Sequence, residues 1–174
     1  MTSLSSLSAL LLTPVHLAIY AFFCVALFES GRLIVQWGLR LRNRGALAQP
    51  SADASGYPIL ALFARRPTLS VDDLDLEALR RLEFIRIATR VTPMLGLIAT
   101  LIPMGPALVA LTKNDVAQMS ELLRNAFAAV VLALAASALC FWIASVRRRW
   151  CAEEVIALKR RIEARPTLVE RKAA

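Results

Sequence analysis

The feature that most constrains this chain is a run of 21 residues without a charged side chain, Val91 to Leu111. A helix rises about 1.5 Å per residue and a bilayer core is about 30 Å thick, so roughly 20 apolar residues span it. A membrane tolerates helix breakers where neighbouring helices, Ser or Thr side chains, or water satisfy the freed carbonyls. We therefore expect a transmembrane helix inside a bundle, shaped by the breakers in this run: Pro93, Gly96, Pro103, Gly105 and Pro106.

Two further apolar tracts complete a three-span layout. They cover about residues 10–28 and 122–146, and 57% of the whole chain is hydrophobic. Long uncharged tracts in such a composition are typical of membrane proteins and not of soluble globular ones. The sequence predicts an all-α integral membrane protein with three transmembrane helices and cytoplasmic helical extensions.

The positions of the basic residues predict the orientation. Ten of the 21 Lys and Arg residues lie between Arg32 and Arg90, and nine follow Val146. Only Lys113 and Arg124 lie between the second and third tracts. The positive-inside rule then places the N-terminus outside and the C-terminus in the cytoplasm. The net charge of +8 does not predict nucleic-acid binding, because uncharged spans interrupt the basic segments.

The same pattern divides the chain into four segments. Residues 1–44 hold the first span and a helical extension, and residues 45–69 read as a cytoplasmic loop in which YPILALF can form a short helix or an interfacial segment. Residues 70–150 hold spans two and three, beginning with Ser70 as the N-cap of a helix that is interrupted or kinked before Pro93. Residues 151–174 form a cytoplasmic helix or tail.

Several side chains at the span ends have local predictions. Trp37 and Trp150 are expected at the membrane interface, and Ser120 is expected to cap the third span. The arginines predicted to anchor the first span in the cytoplasm are Arg40, Arg42 and Arg44. The apolar side chains of the last helix that are available for a partner, before Pro166 ends the helix, are Val155, Ile156, Leu158 and Ile162.

Small residues recur along the third span at steps of three and four. In lipid, a strip of small side chains lets helix backbones approach closely. The third span is therefore predicted to pack tightly through Ala126, Ala129, Ala133, Ala136 or Ser137, and Cys140.

Residues that could support an enzyme are missing from the sequence. There is no nucleophile–base–orienter set, metal-ligand cluster or phosphate-binding loop, so we expect no catalytic residue, metal or cofactor. The three cysteines have no C-x-x-C spacing and are expected to pack as small apolar residues. His16 lies near the outer end of the first span, where a neutral imidazole can reach water or headgroups.

Residues Ala88 to Trp150 resemble the MotA/TolQ/ExbB proton channel family. The family pattern P-x-x-G-L-x-G-T corresponds to Pro93 through Thr100, with Ala99 in place of the second glycine. The next residues, LIPMGPAL, are similar to a sub-branch that carries prolines here. The third-span pattern A-L-x-T-T-x-x-G-L keeps its frame over residues 126–134, but Ala129 and Val130 replace its threonines.

The resemblance implies an assembly and a proton path. Family members form a ring, often a pentamer, in which spans two and three line a central pore in the inner membrane. A small single-span partner of the ExbD/TolR/MotB kind places a membrane acidic residue in that pore, and this residue carries protons. Thr100 matches a pore-lining hydroxyl, with Asn125 and Ser137 as weaker polar positions. The alternative for Thr100 is a hydroxyl bonded back to a helix carbonyl.

Three functions remain open from the sequence. The first is an ion channel subunit of a motor that couples the proton motive force to work on a partner or transport process. The second is a non-conducting ring scaffold, suggested by the lost hydroxyls at Ala129 and Val130. The third, a subunit of a solute or metal uptake system, shares broken helices with transporters but has no convergent charged site.

Overall fold

The computed structural model describes residues 2–43, 56–66 and 70–173, with side chains described for 10–43, 56–66, 70 and 72–162. Most of the predicted loop at 45–69 lies outside these residues. Helices occupy nearly all of the described chain, and no strand occurs in it. The four helices are α1 (Thr2–Arg42), α2 (Pro58–Arg65), α3 (Val71–Thr112) and α4 (Val116–Ala173). The short helix predicted from YPILALF is α2.

Three of the helices are long and apolar enough to cross a membrane. These segments are Leu10–Arg42 in α1, Asp72–Thr112 in α3 and Val116–Ile162 in α4. The predicted class, an all-α multi-pass membrane protein with three spans, is confirmed.

Helix α3 continues through its three prolines, so the predicted interruption before Pro93 is wrong, while the alternative of a kink there stays a prediction. Each proline removes a single backbone donor, and one side of the helix is packed along its whole length, which supports the helix where a donor is missing. From Ile85 onward the buried residues recur every three or four positions: Ile85, Ala88, Thr92, Gly96, Ala99, Pro103, Ala107 and Ala110. Helix α4 likewise continues to Ala173 and does not end at Pro166, because the loss of one donor does not by itself end a helix.

The ends of α3 follow standard capping chemistry. At its start, the Ser70 hydroxyl accepts the Asp73 N–H at 3.2 Å and donates to the Asp73 carboxylate at 2.8 Å, which confirms Ser70 as the N-cap. At its end, Asn114 takes a positive φ of 56°, as a residue after a helix C-cap does.

Helix α4 begins immediately after this turn. The Asp115 carboxylate accepts the Gln118 N–H at 3.0 Å and so caps α4. The prediction that Ser120 is the cap is wrong, because its hydroxyl donates to the Val116 carbonyl inside the helix at 2.7 Å.

The chain forms two compact units. The membrane unit comprises residues 1–30 and 85–142, and the basic unit comprises residues 31–84 and 143–174. The core of the membrane unit combines α1, α3 and α4 through Val15, Ile19, Ala99, Ala129 and Ala133, with Leu95 and Leu132 packed against them.

Candidate functional site

Helices α3 and α4 approach each other closely at Gly96 in the membrane unit. A Cβ atom added to Gly96 would lie 2.9 Å from the Cβ of Ala133, closer than side-chain carbons normally come. Ala133 is fully buried and is itself a small residue. Two small residues therefore permit this contact, as is common between helices in lipid.

Side-chain size differs sharply between the two sides of α4. The small residues of the predicted strip are all buried: Ala126, Ala129, Ala133, Ala136 and Cys140. Large apolar side chains such as Phe127, Val131 and Leu134 are exposed on the same helix. Packing within the unit thus uses the small residues and leaves the large ones facing outward.

A hydroxyl on α4 repairs the hydrogen-bond gap that a proline leaves in α3. Pro93 has no N–H to offer the carbonyl four residues earlier, which belongs to Thr89. The Ser137 hydroxyl donates to that carbonyl at 2.9 Å. Ser137 therefore supplies the hydrogen-bond donor that Pro93 lacks. Its hydroxyl proton, which a pore-lining role would use, is engaged in this hydrogen bond.

Thr100, the residue predicted to line the pore, is half-buried on α3. Its hydroxyl donates to the Leu97 carbonyl at 2.7 Å. This is the back-bonded arrangement considered as the alternative. The hydroxyl oxygen keeps lone pairs that can still accept a hydrogen bond, so the side chain is an oriented acceptor.

Asn125, the third predicted polar position, is exposed and lies in a different environment. It lines an open cavity of about 1160 Å³ within the membrane unit, together with Pro103, Gly105 and Pro106. Neither Thr100 nor Ser137 lines that cavity. The three polar residues predicted to share one path therefore occupy separate surroundings within this unit.

A second polar arrangement, which the sequence did not predict, lies in the basic unit. The Arg40 guanidinium carbon lies 4.5 Å from the centroid of the Tyr57 ring and 4.5 Å from that of Trp150. Its Nε donates to the Gly56 carbonyl at 2.9 Å. Such cation–π contacts gain strength when they are shielded from water.

These contacts correct two predictions made for the span ends. Arg40 was expected to anchor the span and Trp150 to lie at the membrane interface, but only 8% and 9% of their surfaces are exposed. Each side chain is buried against the other and against Tyr57. The faces of the two aromatic rings attract the guanidinium charge, and this attraction offsets part of the cost of burying it.

Glu154 completes this arrangement beyond the third apolar tract. Its Oε1 pairs with Nη2 of Arg40, and its Oε2 accepts the backbone N–H groups of Ile59 at 2.8 Å and Leu60 at 3.3 Å. Burial disfavours the charged form of Glu154, while Arg40 and the two N–H groups stabilise it. The carboxylate thus caps α2, whose own N-cap residue, Tyr57, makes no side-chain cap.

An apolar core surrounds the ion pair. It consists of Tyr57, Ile59, Leu60, Leu74, Ala78, Cys151, Val155 and Leu158. Val155 and Leu158 were predicted to be available to a partner, and this is wrong, because α2 and the start of α3 cover them. Ile156, also predicted for a partner, remains 52% exposed.

Comparison with models of protein families shows which family this chain belongs to. The model of the MotA/TolQ/ExbB proton channel family matches residues 64–160, more than half of the chain. The chain belongs to the MotA/TolQ/ExbB proton channel family. Searches of curated proteins and of solved structures find no match.

The family match covers α3 and most of α4. It includes Pro93, Thr100 and Ser137, and it also includes Glu154 of the buried ion pair. Arg40 lies outside the matched residues. The protein is therefore a multi-pass membrane protein of a proton channel family, in which one partner of the ion pair comes from the unmatched first helix.

Proposed function

We propose that this protein is the proton-conducting subunit of an inner-membrane motor that couples the proton motive force to work on a partner or transport process. Membership of the proton channel family supports this function. The basic segments support an orientation with the N-terminus outside and the C-terminus in the cytoplasm.

The proposed assembly is a ring of identical subunits, a pentamer, around a small single-span partner. The family resemblance supports the ring. The partner supplies an acidic residue within the membrane, because the second apolar run of this chain, Val91 to Leu111, has no charged side chain. Conduction is therefore a property of the two proteins together.

The observation that carries this proposal is the geometry of Thr100. Its hydroxyl proton is directed to the Leu97 carbonyl, which leaves the oxygen lone pairs free to accept. A protonated carboxyl on the partner is a donor, and it loses that capacity when it ionises. A threonine acceptor can thus distinguish the two protonation states of the carrier without placing a charge in hydrocarbon.

A non-conducting ring scaffold is the second candidate, and the third span favours it. The Ser137 hydroxyl, which was predicted for the path, donates to the Thr89 carbonyl. The positions of the family's third-span threonines hold Ala129 and Val130. A chain with this chemistry can maintain helix packing without moving protons.

Proton flux into liposomes separates the two candidates. The chain is reconstituted alone and with its candidate single-span partner, and the partner is also prepared with its membrane Asp or Glu changed to Asn or Gln. The motor subunit predicts flux only with the unmodified partner. An assembled complex that shows no flux above empty liposomes would support the scaffold.

A further inference from the structure

The open cavity of the membrane unit exists because its walls carry little side-chain volume at one end. A Cβ built on Gly105 has no neighbour within 4 Å, and Ala110 and Ala126 also line the space. The cavity volume of about 1160 Å³ exceeds the ~300–1,000 Å³ of common small-molecule pockets. It is therefore large enough for a chain-like amphiphile.

The cavity lining changes character with depth in the membrane. Lys113 lies in the turn between α3 and α4, and Gln118 lies in the first turn of α4, where the uncharged run has ended. Asn125 lies three residues inside the third apolar tract, or about 5 Å at 1.5 Å per residue. The apolar lining residues include Leu12, Leu101, Ile102, Val109 and Leu122. The site thus combines polar groups at headgroup level with an apolar wall.

Most polar side chains of the cavity are exposed and able to donate a hydrogen bond. In the part of the chain that the structure describes, the side chains of Tyr20, Lys113, Gln118 and Asn125 make no hydrogen bond. His16 differs, because its Nδ1 lies 2.9 Å from the Leu12 carbonyl and must donate to it. Lys113 is the one charged side chain among the described residues that line the cavity, so the cavity lining carries a positive charge.

We propose that this cavity binds one anionic phospholipid, with its phosphate at Lys113 and an acyl chain along the apolar wall. The amides of Gln118 and Asn125 are placed to donate to phosphate or ester oxygens. Charge complementarity favours an anionic headgroup, because a zwitterionic one would bring its ammonium group towards Lys113. The lipid site does not depend on the proposed proton conduction.

Native mass spectrometry of the full-length protein in a neutral detergent tests the charge requirement. Phosphatidylglycerol and phosphatidylcholine of the same acyl chains are titrated separately. Phosphatidylglycerol is expected to bind the more tightly, and Lys113→Gln is expected to weaken it roughly tenfold, the effect of losing one charge-assisted hydrogen bond. Arg124→Gln is the matched control, because Arg124 lies in the same outer region but does not line the cavity.

Filling the cavity tests its location. Gly105→Leu adds a side chain where the structure has open space, and it is expected to reduce phosphatidylglycerol binding at least as strongly as Lys113→Gln. Gly38→Leu is the matched control, since Gly38 also has nothing within 4 Å and belongs to the basic unit. Normal binding by the Gly105 variant would overturn the proposal, as would equal affinity for the two lipids.

The occupant can also be identified directly by a photo-crosslinking amino acid at Val109, which lines the cavity. In liposomes containing phosphatidylglycerol, the proposal predicts a lipid adduct that Gly105→Leu removes. A crosslink to a second copy of this chain, without a lipid adduct, would show that a neighbouring subunit fills the space and would overturn the lipid site.

Discussion

The membrane unit and the basic unit satisfy their buried polar groups by different means. In the membrane unit, a neutral hydroxyl from Ser137 meets the carbonyl that Pro93 leaves without a donor. In the basic unit, Arg40 and Glu154 form a buried ion pair that makes further hydrogen bonds to Gly56, Ile59 and Leu60.

The difference follows from what each unit can offer a polar group. Burying a charge is favourable only when its geometry is good and its other hydrogen bonds are made. The basic unit provides two aromatic rings and two helix-start amides for this purpose. The described α3–α4 contact of the membrane unit offers small side chains and one hydroxyl, so it keeps its polar groups neutral.

Breaking the ion pair is expected to have the largest effect. Glu154→Ala leaves the buried Arg40 guanidinium without its carboxylate and uncaps α2, and it should destabilise the basic unit by about 3–5 kcal/mol. Because α2 ends at Arg65 and is followed by Arg66, the loss can be measured as faster tryptic cleavage of the Arg65–Arg66 bond.

The neighbouring glutamate provides the control. Glu153 is about half exposed and lies 3.8 Å from Arg149, so Glu153→Ala should change stability by less than about 1 kcal/mol. Equal protease sensitivity of the two variants would show that the buried pair does not organise this unit.

A methyl group added at Gly96 is expected to have the next largest effect. Gly96→Ala forces the added carbon against Ala133 and should destabilise the membrane unit by about 1–3 kcal/mol, measured by thermal unfolding in detergent. The same change at Gly105, where space is open, should be neutral or slightly stabilising because alanine favours helix.

The compensating change Ala133→Gly should restore much of the stability of Gly96→Ala by returning the missing space. If Gly96→Ala and Gly105→Ala have the same effect, the close approach of α3 and α4 is not a determinant of stability.

The smallest expected effect concerns the hydrogen bond of Ser137. Ser137→Ala should cost about 0.6 kcal/mol, the average found for interhelical hydrogen bonds in membranes, and no more than about 1.7 kcal/mol, the largest value found. In a Pro93→Ala background the Thr89 carbonyl regains an N–H donor, so Ser137→Ala should then cost close to nothing. If Ser137→Ala costs the same stability in the Pro93→Ala background, the Ser137 hydrogen bond does not compensate for the N–H that Pro93 lacks.

Much of the membrane unit could be predicted from the sequence because its signals are local. Span positions follow from uncharged runs of about 20 residues, and the small residues of α4 repeat at helical spacing. The prolines of the second span also predict carbonyls that need another hydrogen-bond donor. The sequence did not show that Ser137 meets Thr89, because 48 residues separate them.

The basic unit could not be predicted because its organisation rests on distant residues. Arg40 and Glu154 are 114 positions apart, and each belongs to a stretch that reads as charged and solvated. The available signal was the placement of Trp150 and Glu154 at i,i+4, which puts both on one side of a helix. That spacing does not reveal which distant cation they share.

The most direct test of the central claim is proton flux through the complex with Thr100→Val. Valine keeps the shape of threonine and removes its acceptor oxygen. Thr112→Val is the matched control, because the Thr112 hydroxyl also donates three residues back, to the Val109 carbonyl at 2.8 Å, and lies at the end of α3. We expect flux to fall roughly tenfold or more in Thr100→Val, the effect of one lost hydrogen bond of ~1.4 kcal/mol, and to remain normal in Thr112→Val. Normal flux in Thr100→Val, from an assembled complex, would contradict the proposed role of Thr100 in the proton path.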